Sequence, residues 1–192
     1  MKDLKRQLEE YVPYNQQEEK DRLEILRQLE KGDLLYSRDN NSHLTVSGWV
    51  VNQDRSRILM VYHNIYNSWS WMGGHADGQK DLLQVAIREV QEESGVSDVR
   101  PLSEEIFSLE ILTVDGHVKR GEYVSSHLHL NVTYLLEVDD HQLLHKKADE
   151  NSGVKWFDRD KAVQASNEVW FREHIYSKLN EKLTLWENKY GK

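Results

Sequence analysis

Apolar residues recur at helical spacing at Leu4, Leu8, Tyr11 and Val12, and a second helical series runs through Leu23, Leu26 and Leu29. Pro13 separates the two helices this pattern predicts, and Gly32 fits the stop of the second. From residue 43 the pattern changes. Segments 43–51 and 57–63 are rich in Val, Ile, Leu, Trp and Tyr, with turn formers at 52–56 between them, and predict a β-hairpin. Trp69 and Trp71 are two apart and so share one face of a strand, which Gly73 and Gly74 are expected to end. Segment 80–94 returns to helical spacing through Leu82, Leu83, Val85, Ala86 and Val90, with Gly95 at the stop position. Strand-like runs follow at 105–114 and 127–138, with a polar loop over 115–123 between them. A second polar stretch covers 141–153, a short strand 154–157, and a closing helix 167–187, with Val169, Trp170, His174, Leu179, Leu183 and Trp186 as candidate inward residues. Helices, strands, a helix, strands and a helix in that order predict an α/β sandwich with a mixed sheet between helices. Residues 1–36 read as an N-terminal helical arm, for packing or for a homodimer, and 37–192 as the main domain.

Composition narrows the chemistry. The chain has 192 residues, 30% charged and 38% hydrophobic, which suits one soluble globular domain with an added arm. It has no cysteine, which removes disulfides and thiolate metal sites and leaves carboxylates, carbonyls and histidines as metal ligands. No apolar run is long enough to span a membrane, and residues 1–10 carry charge where a secretion signal would be apolar. A cytoplasmic protein is expected. The net charge of −8 and the lack of an evident basic face argue against long nucleic acids as partners. A small phosphate compound remains compatible with an acidic protein if divalent ions sit between the two.

The residues that carry chemistry follow Gly73 and Gly74: Arg88-Glu89-Val90-Gln91-Glu92-Glu93-Ser94-Gly95-Val96. On a helix Glu89, Glu92 and Glu93 stand at i, i+3 and i+4 and therefore share one face, where like charges repel. A bound cation relieves that repulsion, and oxygen ligands select hard ions such as Mg²⁺ or Mn²⁺. Arg88 is turned away by about 100° but is placed to orient a carboxylate through a bidentate contact. By spacing alone, three glutamates at such intervals more often describe a solvated acidic face.

The full string resembles the Nudix box: Gly, five residues, Glu, seven residues, Arg-Glu, an apolar residue, any residue, Glu-Glu, any residue, Gly, an apolar residue. Gly74 supplies the first glycine, Arg88 and Glu89 fall at the required interval, and Val90, Glu92, Glu93, Gly95 and Val96 complete the tail. The resemblance covers residues 43–165. Lys80 stands where the box has its early Glu, with Asp81 beside it as a stand-in, and Met72 stands where a proline usually precedes the glycine pair. The resemblance implies a Nudix-type α/β/α sandwich and metal-dependent hydrolysis of a diphosphate bond in a nucleoside diphosphate linked to another moiety. It implies Glu92 and Glu93 as main metal ligands, Glu89 beside them, and the Gly73 carbonyl as a further oxygen. It also implies a late loop carboxylate ahead of a Trp-bearing strand. Glu150, six residues before Trp156, holds that place as a ligand or general base, with Asp149 as its neighbour. A rival reading is a catalytically weak Nudix-fold module that binds nucleotide or protein. An isomerase of the isopentenyl-diphosphate type shares the fold but uses a cysteine this chain lacks.

Outside the box, His127 and His129 alternate on a strand and face one side, as lining of a substrate cleft or a sheet face. Two histidines alone do not make a metal site. Lys119 and Arg120 are candidate phosphate clamps, His75 a loop residue within reach of phosphate, and Trp49, Tyr62, Tyr66 and Trp69 candidate base-stacking rings with core packing as the alternative.

Overall fold

The structure, a computed structural model, describes residues 3–119 and 121–191. The predicted hairpin forms as β1 (Ser42–Val51) and β2 (Arg57–His63), but the two strands pair only beside their turn, at Val51 and Ile58. They then part. β1 takes β4 (Met72–His75) as its antiparallel partner, and β2 takes β3 (Ser68–Ser70) and β10 (Asn151–Asp158). On its other side β1 runs parallel to β9 (His127–Glu137), and β9 pairs with β5 (Arg100–Pro101) and β6 (Ser108–Val114). The sheet is therefore mixed, as expected.

Strand alternation divides the core in two. Leu44, Val46 and Val50 of β1 face α3 (Leu82–Ser94), whose Leu82, Val85, Ala86 and Val90 are buried against them. Trp49 and Val51 face the opposite way, under α4 (Arg159–Ala165) and α5 (Ser177–Tyr190). This is the α/β/α sandwich. The helix ends obey local rules. The Asp81 carboxylate accepts from the Gln84 N–H at 3.1 Å to cap α3, and Gly95 ends it in the left-handed region at φ 76°.

The arm folds as α1 (Leu4–Glu10), α2 (Gln16–Gln28) and a 3₁₀ segment over Leu29–Tyr36 that kinks at Gly32. Leu4, Leu8 and Ile25 join the α3-side core. α2 also covers the open edge of β6. Asp21 accepts from the Ile111 N–H at 3.0 Å, and Gln17 donates to the Leu109 carbonyl at 3.2 Å. Ladder groups that would otherwise template further pairing are thereby satisfied.

Several expectations are corrected. Gly73 and Gly74 lie inside β4 rather than ending a strand, and the break falls at Trp71 instead. The stretch 115–123 contains a small hairpin, β7 (His117–Lys119) with β8 (Glu122–Val124). The helix α4 has no counterpart in the expected order. The final helical segment begins as a π-helical stretch, Phe171–Tyr176, and there Ile175 and Tyr176 turn inward while Val169, Trp170 and His174 are exposed. The wider π turn rotates the buried stripe, which an ideal helical period does not anticipate. Among the described residues no helix is long and apolar enough to cross a membrane.

Candidate active site

One turn of α3 carries Glu89, Glu92 and Glu93, and the tight approach of β4 decides where they sit. Gly74 has no side chain because the Glu89 carboxylate fills the space; a Cβ there would lie 2.5 Å from the Glu89 Cδ. The Gly73 N–H donates to Glu93 Oε1 at 2.8 Å. The contact between Gly73 and this carboxylate thus runs through the amide. Glu93 is 4% exposed, and its backbone carbonyl accepts from the Asn151 side chain at 2.9 Å at the start of β10. Arg88 reaches Glu89 at 3.0 Å and Glu92 at 3.6 Å through different nitrogens, so it bridges two carboxylates instead of gripping one.

The loop before β10 supplies two further groups. Lys147 Nζ lies 3.2 Å from Glu92 Oε2 and 3.0 Å from Glu150 Oε2, so its ammonium sits where the two carboxylates converge. Glu150 itself is anchored by its backbone carbonyl, which accepts from the Asn64 N–H at 3.0 Å. Burial would lower the Lys147 pKa, yet Glu150 and Glu92 hold it above its ordinary value. Glu93 is pushed up from an ordinary 4.5 to about 8, by burial first, against the Gly73 hydrogen bond and with the help of Glu150 and Glu89. Burial also raises Glu89, against the pull of Arg88. Four carboxylates thus converge on too little positive charge. All donors are oxygens, and a lysine ammonium already stands among them, so the set fits a hard divalent cation.

The other candidates are spread out. His127 and His129 share the sheet face opposite α3, as their alternation requires, with ring centroids 5.0 Å apart. His43 of β1 and His75 of β4 meet them there. The His43 ring lies 5.1 Å from His75, 5.2 Å from His127 and 5.0 Å from His129. Burial, with the neighbouring imidazoles, drives His129 down to about 2 and so keeps it neutral. His43 was no candidate from sequence, and neither was Lys147. The β1–β9 register, which sets His43 opposite His129, is the signal for the first; the aperiodic loop around Lys147 offers none. Lys119 ends β7, and Arg120 lies outside the described residues. Trp49 is fully buried against Tyr176, and Tyr62 packs edge-on to Trp69, while Tyr66 is exposed beside His63. Asp81 caps α3, and Lys80 pairs with Asp33 of the arm at 2.8 Å.

Comparison with known proteins agrees with this geometry. A family model described as the NUDIX domain matches residues 41–179. The rat bis(5'-nucleosyl)-tetraphosphatase (asymmetrical) is 27% identical over 108 residues, 56% of this chain and 67% of its own length. The E. coli dihydroneopterin triphosphate pyrophosphohydrolase superposes with a TM-score of 0.53 at 17% identity, over 72% of this chain and 95% of its own. A NUDIX-family hydrolase from Clostridium perfringens gives 0.51 at 23% identity, over 76% and 98%. These last two likenesses speak for the fold.

Proposed function

This chain belongs to the NUDIX family and is a hydrolase of nucleoside-diphosphate-linked substrates, and we propose that Glu89, Glu92, Glu93 and Glu150 perform its chemistry with Mg²⁺ or Mn²⁺. The observation that carries this reading is the geometry: Glu89, Glu92 and Glu93 share one turn of α3, with the Gly73 N–H on Glu93 at 2.8 Å, and the Lys147 ammonium joins Glu92 to Glu150 at 3.2 Å and 3.0 Å. The divalent ion supplies charge neutralisation and Lewis-acid activation of phosphate and water. Glu92 and Glu93 would be its main ligands, with Glu89 beside them. Gly73 orients Glu93 through its N–H, and Arg88 holds Glu89 and Glu92 in place. Glu150, on a half-exposed loop with its Oε2 against Lys147, is the general base that takes the proton of the attacking water. Lys147 holds the Glu92 and Glu150 carboxylates together. His127 and His129 line the substrate side of the sheet.

The substrate is a small nucleotide in which a phosphoanhydride is flanked by further phosphates or another moiety. The likeness to a dinucleoside tetraphosphatase makes dinucleoside polyphosphates the first class to try, ahead of nucleotide sugars, ADP-ribose and nucleoside triphosphates. The test is a panel of these compounds with Mg²⁺ or Mn²⁺, reading released phosphate and monophosphate. Turnover of one class that needs the metal and vanishes in Glu92→Gln and Glu93→Gln is the expected result. Nucleotide binding without metal and without turnover of any compound would replace the hydrolase by a binding module.

A further inference from the structure

We propose that His43, His75 and His129 form a second metal site, of the zinc type, distinct from the carboxylate cluster. One ligating nitrogen from each of the three lies within 4.8 Å of those of the others. A tetrahedral zinc with bonds of about 2.0–2.1 Å holds its nitrogens about 3.4 Å apart. Modest side-chain rotations therefore close the cage.

The histidines come from three adjacent strands, β4, β1 and β9, and pairing fixes them side by side: Thr45 faces His75, and His43 faces His129. Such placement on a sheet is more rigid than on loops. His43 is 3% exposed, and its Nδ1 sits 2.8 Å from the Asn40 carbonyl. That contact assigns the proton to Nδ1 and leaves Nε2 as a bare lone pair. The His43 Nε2 is buried with no hydrogen-bond partner. A buried unpaired nitrogen is costly, and metal-bound histidines are oriented by such carbonyl contacts on their other nitrogen. His127 stands at the edge, its Nδ1 2.9 Å from the Ser125 carbonyl and its Nε2 3.2 Å from the His129 Nε2. A cavity of about 470 Å³ lined by Lys31, Asn40, Ser42, Asp115 and His127 opens beside His127.

The ligand chemistry differs from that of the carboxylates. Imidazoles without thiolates suit Zn²⁺ and its neighbours over Mg²⁺. Three protein ligands leave one position for water or a phosphate oxygen. The site lies on the face of β4 opposite Glu89, since His75 and Gly74 point to alternate sides. It therefore persists whether or not the carboxylates bind metal.

The experiment uses the full chain stripped with EDTA and titrated with Co²⁺ as a spectroscopic substitute for zinc, then with Zn²⁺ by calorimetry. Intense visible cobalt bands are expected in the unaltered protein and in Glu93→Gln. His43→Ala and His129→Ala should lose them and weaken Zn²⁺ binding by more than about 100-fold, because even the outer partners of such ligands are worth about 10–100-fold. Bands that survive in both histidine variants, or that vanish in Glu93→Gln alone, would overturn the site. If a histidine variant fails to fold, ¹⁵N spectra of the unaltered protein decide. One equivalent of Zn²⁺ should shift ring nitrogens of the three histidines, and unmoved resonances refute the proposal.

Discussion

Two groups of carboxylates are buried in this chain, and they are neutralised by different means. Where α2 meets α5, Glu18 and Glu110 are fully buried, and the chain brings its own cations to them. Lys178 lies 2.9 Å from Glu110 and 3.2 Å from Glu18, and Lys182 lies 2.7 Å from Glu18. Tyr11, Ser108 and the Tyr14 N–H add hydrogen bonds to Glu18 at 2.6 Å, 2.9 Å and 2.7 Å. Burial alone would raise Glu18, but Lys182 and Lys178 outweigh it and hold it below the ordinary carboxylate value. At the turn of α3, Glu93 is equally enclosed and rises to about 8. The first group locks the arm to the sandwich. The second has Arg88 and Lys147 on Glu89, Glu92 and Glu150, but no cation pairs with Glu93 among the described residues, and we propose that a divalent ion completes the balance. The two groups thus differ in whether an ammonium pairs directly with the buried carboxylate, as Lys178 and Lys182 do with Glu18.

The most severe way to break this contrast is Glu93→Gln. The amide keeps an oxygen for the Gly73 N–H but removes the carboxylate proposed to hold metal. Turnover with Mn²⁺ should fall on the order of 10³-fold, matching the several kcal/mol a catalytic metal contributes. The urea midpoint should hold near neutral pH and rise at higher pH, because Gln cannot ionise in the interior. Near-normal rates in steady-state assays would remove Glu93 from the chemistry.

Lys178→Met strikes the other group and should act on stability instead. Removing one partner strands Glu18 and Glu110 in the interior, a loss of about 3 kcal/mol or more. Urea denaturation reads this directly. A midpoint within error of the unaltered protein would mean that Lys182 and the hydrogen bonds suffice, and that the lock is weaker than its geometry.

The two groups also respond oppositely to pH. Glu93 has a raised folded value, so its contribution is complete below an ordinary 4.5 and is lost as pH climbs through about 8. Glu18 has a lowered one, so its contribution is complete above an ordinary 4.5 and is lost only as pH falls below it. His129, forced down to about 2, costs stability below the ordinary imidazole value of 6.5. Between pH 6.5 and 8 Glu93 therefore acts without these opposing groups, and the EDTA-treated protein should melt lower as pH rises. Saturating Mn²⁺, at about 100 times its Kd, should add about 2.7 kcal/mol and flatten or reverse the slope. Glu93→Gln should have a clearly shallower slope. The same slope in all three samples would dissociate it from the carboxylates.

Much of this was legible in the sequence, for reasons that differ by residue. The α3 turn was readable because helical spacing alone puts Glu89, Glu92 and Glu93 together, and Gly95 marks its end. His127 and His129 shared a face because strands alternate. Their meeting with His43 and His75 was not readable, since it depends on β1 lying parallel to β9 and on β4 inserting beside β1. The Glu18–Lys178 contact spans the arm and the last helix, and pairing at that range leaves no local periodic trace. Lys147 sits in an aperiodic loop, and only the fold shows what it bridges.

The mildest test bears on position 80, where Lys80 departs from the box. If the usual Glu anchored the loop, its absence should be felt at α3. Instead Lys80 reaches out to Asp33, with both side chains mostly exposed at 67% and 81%, and Asp81 takes the capping role on α3. An exposed pair of this kind contributes little, because water screens it and both side chains lose freedom to form it. Lys80→Glu turns the pair into a repulsion at the surface and leaves Glu89, Glu92 and Glu93 where they are. Turnover should stay within about twofold of the unaltered enzyme, and more so at raised salt, where exposed charges are screened. A large gain in rate would show that the box's glutamate does work that Asp81 does not. The acidic cluster would then depend on its approach loop as well as on the cation proposed for it.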